Sequence, residues 1–181
     1  MMRHGVEPDV KTFNTLIKGW CKIDKMSVAM NITAVMRTMK LEPEEITFNT
    51  LIQGYCKRHH MMMAKRLIEA MYKVNLIPNT RTFTIIVKGL CDMKLYGDAT
   101  VLVQNLIKSD TKPDVITFNA LLQGWCDQGD MDMAYKILKG MIELGYEPNT
   151  RTWNVIVHGL SRQDRMGDVM HVVATLRGSK T

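Results

Sequence analysis

The sequence lacks any long hydrophobic run. The longest uninterrupted apolar stretch spans four residues, 61–64, whereas a membrane-spanning helix needs about 20, so no membrane partner is predicted. Proline and glycine are scarce, with five and twelve residues among 181, which excludes collagen-like and linker-like chains. The 46% apolar and 23% charged residues are typical of a folded protein. The net charge of +6 mildly favours an anionic partner.

The few prolines and cysteines are spaced evenly along the chain. All five prolines lie 35 residues apart, at Pro8, Pro43, Pro78, Pro113 and Pro148. The four cysteines keep the same step, at Cys21, Cys56, Cys91 and Cys126. Three further series follow it, namely a glycine (19, 54, 89, 124, 159), an aromatic residue (13, 48, 83, 118, 153) and the threonine before that aromatic residue. A fixed period of this length is typical of a tandem-repeat array.

The period divides the chain into repeats. We place complete repeats at 10–44, 45–79, 80–114 and 115–149, an incomplete repeat at 150–181, and the tail of a preceding repeat at 1–9. Because the array begins inside a repeat, we expect the chain to be a piece of a longer protein. A natural start at Met1 or Met2 is the alternative.

Each repeat carries two helical hydrophobic stripes. In the fourth repeat, apolar residues stand at 118, 121, 122, 125 and 126 and again at 131, 134, 137, 138 and 141, which is the spacing of one helix face. We therefore predict an all-α solenoid of antiparallel helix–turn–helix repeats, whose stacked neighbours complete the core. The residue before each first helix is acidic or an asparagine and suits a helix N-terminus. The mid-helix glycines indicate close helix contact, which we expect to be with Ala29, Ala64, Ala99 and Ala134.

Several residues that resemble reactive sites are interpreted as structural. Equivalent cysteines on stacked repeats should be about 10 Å apart, too far for a disulfide, and the short spacing of a zinc site is missing. We expect them to be core thiols. His59, His60 and the following methionines fall at a turn and a helix start, so no metal and no cofactor are predicted. No catalytic residue pattern is present, and an enzyme is not expected.

The repeat resembles the pentatricopeptide repeat. The resemblance lies in the strings TFNTLIKGWC (12–21), TFNTLIQGYC (47–56) and TFNALLQGWC (117–126), each followed by a proline and an Asp, Asn or Glu at the repeat end. The 35-residue length is similar to the pure class of that family. The resemblance implies a right-handed superhelix that binds single-stranded RNA with one base per repeat. It further implies a mitochondrial or chloroplast protein acting in RNA processing, stability or translation.

The resemblance also implies roles for individual residues. The fifth residue and the last residue of each repeat would read the base edge: Asn14 with Glu44, Asn49 with Asn79, Thr84 with Asp114, Asn119 with Asn149, and Asn154. The second residue would pack on the base: Lys11, Ile46, Arg81, Ile116 and Arg151. The phosphate contacts would be Lys18, Lys22, Lys57, Lys88 and Arg162. The implied reading is a pyrimidine, C or U, G, C or U, and a pyrimidine.

The residue pattern alone, without the family resemblance, also predicts that most of these residues share one face of the first helices. The fifth residues share a helix side with the second residues and with the residues that follow one and two turns later. This face carries eight basic and two acidic side chains, Asp92 and Asp127, as a groove for a phosphate chain would. The alternatives are a structural component of an organellar ribosome that grips rRNA or proteins, and a solenoid that binds proteins alone.

Overall fold

The computed structural model describes residues 8–165 together with 167 and 168. The described part of the chain is entirely helical, so the predicted all-α repeat solenoid is confirmed. Its helices are α1 (Val10–Lys22), α2 (Met26–Thr38), α3 (Glu45–Cys56), α4 (Met61–Lys73), α5 (Thr80–Asp92), α6 (Tyr96–Lys108), α7 (Val115–Gln128), α8 (Met131–Glu143) and α9 (Thr150–Ser161). Most of the predicted leading tail, 1–9, and most of the second half of the repeat at 150–181 lie outside the described residues.

Turn residues set the helix boundaries. Between the two helices of a repeat, the chain takes the left-handed conformation at Asp24, His59, Lys94 and Gly129, and it does so at Asp164 after α9. Gly145, at φ 83°, follows the end of α8, as the sequence indicates. A residue in this conformation cannot continue a helix and allows the chain to reverse. Within the described residues, no helix has the length and apolar character that crossing a membrane would require.

The first compact unit is Met1–Gly89. In it α1 packs against α2 and α3, and α3 packs against α4. The core is built from one stripe of each helix, with Ile17, Leu51, Ile52 and Met71 almost fully buried. Each helix of this unit is therefore held by its partner within the repeat, and α1 and α3 by each other across a repeat boundary.

The second compact unit is Leu90–Thr181. Here α7 is central and packs against α6, α8 and α9. A continuous cluster includes Leu122, Cys126, Leu138, Ile156 and Leu160, all of them buried. Apolar side chains at helical spacing on three helices thus meet in one core, as the two-stripe pattern predicts.

The mid-helix glycines contact the cysteine of the preceding repeat. A Cβ atom built on Gly89 would lie 2.7 Å from Cys56 Cβ, and one on Gly124 would lie 2.7 Å from Cys91 Sγ. The atoms nearest to the added Cβ atoms belong to cysteine, methionine and tyrosine side chains, and not to the alanines of the second helices as expected. Because first helices pack side by side, glycine is the residue that lets a neighbouring backbone approach a cysteine side chain.

The cysteines are core thiols, as expected. All four are buried and none forms a disulfide. Burial raises the pKa of Cys91 and of Cys126 to about 12, and it also raises the pKa of Cys21. The thiolate is the reactive form of cysteine, so the raised pKa values of Cys21, Cys91 and Cys126 disfavour reaction at neutral pH.

Candidate nucleic-acid interface

The first helices α1, α3, α5, α7 and α9 carry most of the predicted site residues. On α1, Lys11, Asn14, Lys18 and Lys22 follow one another at intervals of three or four residues, so they lie on one helix side. The predicted base-packing residues are all exposed: Lys11, Ile46, Arg81, Ile116 and Arg151. Ile46 and Ile116 expose 58% and 59% of their surface. They thus offer apolar contact area beside each fifth residue.

The predicted base-edge residues differ in exposure. Asn49 and Asn119 are buried, Asn14, Thr84 and Asp114 are half-buried, and Glu44, Asn79, Asn149 and Asn154 are exposed. The fifth residues Asn49 and Asn119 therefore have their positions fixed by packing. The last residues of the repeats remain accessible at the helix starts.

The last residue of each repeat also caps the next first helix. Asp9, Asp114 and Asn149 each accept a hydrogen bond through Oδ1 from the backbone N–H three residues later, at 2.8, 2.7 and 3.0 Å. Asn79 accepts the corresponding bond from Thr82 at 3.2 Å. Capping takes up one side-chain oxygen and orients the rest of the group. A capping Asp then presents a second acceptor oxygen, whereas a capping Asn presents its amide donors.

One predicted base-edge pair is in direct contact. Asn119 Nδ2 donates to Asn149 Oδ1 at 3.4 Å. Thr152 links both residues, because its hydroxyl donates to Asn119 Oδ1 at 2.7 Å and accepts from the Asn149 backbone N–H at 3.1 Å. The oxygens of both asparagine side chains are thereby occupied. The groups of this pair that remain available to a ligand are amide N–H donors.

The same threonine link joins α1 to α3. Thr47 donates its hydroxyl hydrogen to Asn14 Oδ1 at 2.6 Å and accepts from the Glu44 backbone N–H at 3.2 Å. Thr47 and Thr152 are completely buried. Asn14 is therefore held in the orientation that Asn119 has, with its oxygen turned inward.

Asn49 has different partners. Its Nδ2 donates to Glu45 Oε1 at 3.1 Å. Its Oδ1 is buried and accepts no hydrogen bond from the described residues. Of the three asparagines at this repeat position whose bonds are described, only this one gives its amide to a carboxylate on its own helix.

The sequence analysis noted the periodic threonine before each aromatic residue but predicted no role for it in the site. A buried hydroxyl must find hydrogen-bond partners, and a threonine kept at a core position in every repeat indicates such partners. Thr47, Thr82, Thr117 and Thr152 are all 0% exposed. Two of these hydroxyls are now seen to orient predicted base-edge residues.

Three of the predicted phosphate contacts line one groove of the first unit. Lys18, Lys22 and Lys57 surround a cavity of about 390 Å³ together with Gln53 and Arg58. None of the three lysines forms an ion pair with a described residue. The groove is thus basic and open to an anion.

Arg58 is built into the wall of this groove. Its guanidinium donates to the backbone oxygens of Cys21 and Gly54, at 2.6 and 2.8 Å, and forms an ion pair with Asp24. These bonds satisfy carbonyls near the C-terminal ends of α1 and α3, where cations are favourable. Arg58 therefore holds the two helices together.

The remaining predicted phosphate contacts are less uniform. Lys88 is exposed on α5. Arg162 donates to Asp127 at 2.8 Å and forms an ion pair with it. The charge of Arg162 is thereby balanced within the second unit, which leaves the lysines as the stronger anion attractors. No group of three or more metal-ligating side chains occurs among the described residues.

Comparison with protein families identifies the array. Residues 8–57, 43–92 and 113–162 match the model of the PPR repeat family. The chain belongs to this family. No curated protein matches it in sequence.

Solved structures agree with the fold. The pentatricopeptide repeat protein PPR10 in complex with an 18-nt psaJ RNA element superposes with a TM-score of 0.83 at 20% identity, over 97% of this chain and 26% of that chain. PPR10 from maize gives 0.74 at 19% identity, over 98% and 26%. The PPR domain of Arabidopsis thaliana protein-only RNase P 1 in complex with tRNA gives 0.64 at 17%, over 92% and 88%. The chain thus spans about a quarter of the PPR10 structures.

Proposed function

We propose that this PPR array binds single-stranded RNA and that each of the repeats 10–44, 45–79, 80–114 and 115–149 contacts one base. The observation that carries the proposal is the bonded pair Asn119–Asn149, whose side-chain oxygens accept hydrogen bonds and whose remaining amide hydrogens can donate to a base. RNA-bound relatives of the same fold support it. The site is a binding surface, and we assign no catalytic residue to it.

The amide donors favour cytosine at the repeat 115–149. Asn149 uses Oδ1 for its cap and for Asn119, so it approaches a base with N–H. Cytosine presents the acceptors N3 and O2 on its pairing edge, whereas uracil presents a donor at N3. A donor facing a donor leaves both unsatisfied, which is costly once water is excluded. The structural argument therefore selects cytosine from the two pyrimidines that the resemblance implies.

The same chemistry predicts the base preferences of the other repeats. Asn79 also caps through its oxygen and should present N–H to a pyrimidine, with cytosine preferred. Asp114 caps through Oδ1, and its other oxygen accepts from bases that present N–H, which are guanine and uracil. The resemblance assigns guanine to Thr84 with Asp114. Asn14 with Glu44 and Asn154 complete the order pyrimidine, C, G, C, pyrimidine, read 5′ to 3′.

The phosphate chain would follow the lysines, and the bases would lie against the second residues. Lys18, Lys22 and Lys57 share one open groove, and Lys88 is exposed. Isoleucine offers an apolar surface to a base plane, and arginine can stack on it. The family resemblance supports a role for this activity in a mitochondrion or chloroplast, in RNA processing, stability or translation.

The substitution Asn149→Asp tests the proposal. Aspartate keeps the helix cap but replaces the amide donor with an acceptor, so the preferred fourth base of the RNA core CCGCC should change from C to U. The expected change in the C-to-U ratio of affinities is about tenfold or more, the order that one base contact contributes in single-strand binding. Competition binding with CCGCC and CCGUC measures it. The neighbouring bases should keep their preferences.

Asn105→Asp is the matched control, since Asn105 is exposed on α6 and the charge change is the same. It should leave the C-to-U ratio unchanged. An unaltered ratio in Asn149→Asp would refute base reading by this pair. If the unsubstituted chain binds no single-stranded RNA and associates only with ribosomal particles or with proteins, the structural alternatives replace this proposal.

A further inference from the structure

We propose that Glu45 is a specificity-determining residue of the repeat 45–79, because its carboxylate binds one of the two amide hydrogens of Asn49, whereas Asn119 gives its bonded amide hydrogen to the last residue of its own repeat. This inference rests on the proposed RNA-binding function. Glu45 belongs to neither the fifth nor the last position of its repeat. It acts through Asn49 and is therefore a positioning residue.

The difference in hydrogen bonding between equivalent asparagines supports the proposal. Asn14 and Asn119 each accept a threonine hydroxyl through Oδ1, at 2.6 and 2.7 Å. Asn49 Oδ1 accepts no such bond although the residue is only 5% exposed. A buried amide oxygen without a partner is unfavourable. In this repeat the Asn49 side chain is held instead through its nitrogen, which donates to Glu45 Oε1 at 3.1 Å.

Glu45 is peculiar to this repeat. The equivalent residues in the other repeats are valine or threonine: Val10, Thr80, Val115 and Thr150. Glu45 is the first residue of α3 and lies four residues before Asn49, so the two side chains meet on one helix side. A carboxylate accepts more strongly than a neutral group. Glu45 therefore holds one of the two amide hydrogens of Asn49, and no base can take that hydrogen without displacing the carboxylate.

As a consequence, two repeats with the same predicted base-reading residues should differ in how strongly they discriminate between bases. Repeats 45–79 and 115–149 share asparagine at the fifth and last positions and isoleucine at the second position. Only the first of them holds a carboxylate beside the fifth residue. That negative charge also disfavours the acceptor atoms N3 and O2 of cytosine. We expect the second base of CCGCC to be discriminated less than the fourth.

Glu45→Val tests this, because it installs the residue found at Val10 and Val115. Discrimination at the second base, measured as the affinity for CCGCC over CAGCC, should rise about five- to tenfold, the order of one hydrogen bond between neutral groups. The fourth base, measured with CCGAC, should not change. Glu45→Thr, the residue at Thr80 and Thr150, is a second variant and should give the same result. Both are read in the 181-residue chain.

Glu69→Val is the matched control. Glu69 is exposed on α4 in the same repeat, so its removal changes the net charge equally. It should raise affinity slightly for all three RNAs and leave their ratios unchanged. If the affinity ratios among the three RNAs were equal in Glu45→Val and Glu69→Val, the proposal would be overturned, because Glu45 would then act only through its charge.

A measurement without RNA separates this inference from the proposed function. In the Glu45→Val chain, the Asn49 side-chain amide resonances should shift as the carboxylate bond is lost, while those of Asn119 stay in place. Unmoved Asn49 resonances would overturn the inference, whatever the RNA results. A shift combined with no RNA binding by the unsubstituted chain would instead refute the proposed function, and the role in base discrimination would fall with it.

Discussion

At the residue scale, glycine and cysteine form a repeated contact between successive first helices. A Cβ atom added to the glycine would lie 2.7 to 3.1 Å from the side chain of the cysteine 33 residues earlier. This holds for Gly54, Gly89, Gly124 and Gly159. Contacts under 3.0 Å require a neighbour to move, and this is hardest when the neighbour is itself a Cβ atom. The glycine cost in helix propensity, about 1 kcal/mol relative to alanine, is thus offset by close packing.

Alanine substitutions should separate propensity from packing. Gly89→Ala should lower the free energy of unfolding by about 1–3 kcal/mol, because the new methyl group would lie 2.7 Å from Cys56 Cβ and overpack the core. Gly19→Ala should raise it by up to about 1 kcal/mol, since no atom of the described residues lies within 4 Å of its added Cβ atom. Urea unfolding of the two variants measures both. A stabilised Gly89→Ala chain would show that the first helices are not in close contact.

At the element scale, threonine hydroxyls connect neighbouring first helices. Thr47 joins α3 to Asn14 on α1, and Thr152 joins α9 to Asn119 on α7. Each hydroxyl also accepts the backbone N–H of the residue that caps its own helix. One side chain thus closes a helix start and fixes a fifth residue of the preceding repeat.

Valine substitutions test this connection. Thr47→Val keeps the shape of the buried side chain but removes the partner of Asn14 Oδ1 and of the Glu44 N–H. We expect the free energy of unfolding to fall by about 1–3 kcal/mol, the cost of leaving buried polar groups unsatisfied. Thr12→Val is the control, because the Thr12 hydroxyl bonds to Asp9 alone among the described residues, in an exposed setting, and it should cost clearly less. Equal losses in denaturant unfolding would contradict the role of the link.

The helices and their ends could be predicted from the sequence, because they follow from local patterns. Apolar spacing defined the pairs, and Asp9, Asp114 and Asn149 identified the starts of α1, α7 and α9. The glycine partners could not be predicted, since the contact of Gly89 with Cys56 depends on how stacked helices align. The Glu45–Asn49 bond was readable as an i, i+4 pair.

At the scale of the whole molecule, the net charge is +6, and the two units differ in how many of their basic site residues are paired with an acidic side chain. In the first unit, Lys18, Lys22 and Lys57 line a groove without ion-pair partners among the described residues. In the second unit, Arg162 is balanced by Asp127. The attraction for a phosphate chain should therefore come chiefly from the lysines of the first helices, with Lys88 as the fourth.

Salt dependence of RNA affinity measures this charge distribution. With about four phosphates neutralised, log affinity should fall against log salt with a slope of about −3, from about −0.7 per phosphate for single strands. The triple variant Lys18→Gln, Lys22→Gln, Lys57→Gln should reduce the slope to about −1. A second triple variant, Lys65→Gln, Lys108→Gln, Lys136→Gln, removes the same charge from exposed positions on α4, α6 and α8 and should leave the slope near −3. Counterion release occurs only where a lysine replaces cations at a phosphate, so a shared loss of slope would mean that net charge, and not this groove, attracts the RNA.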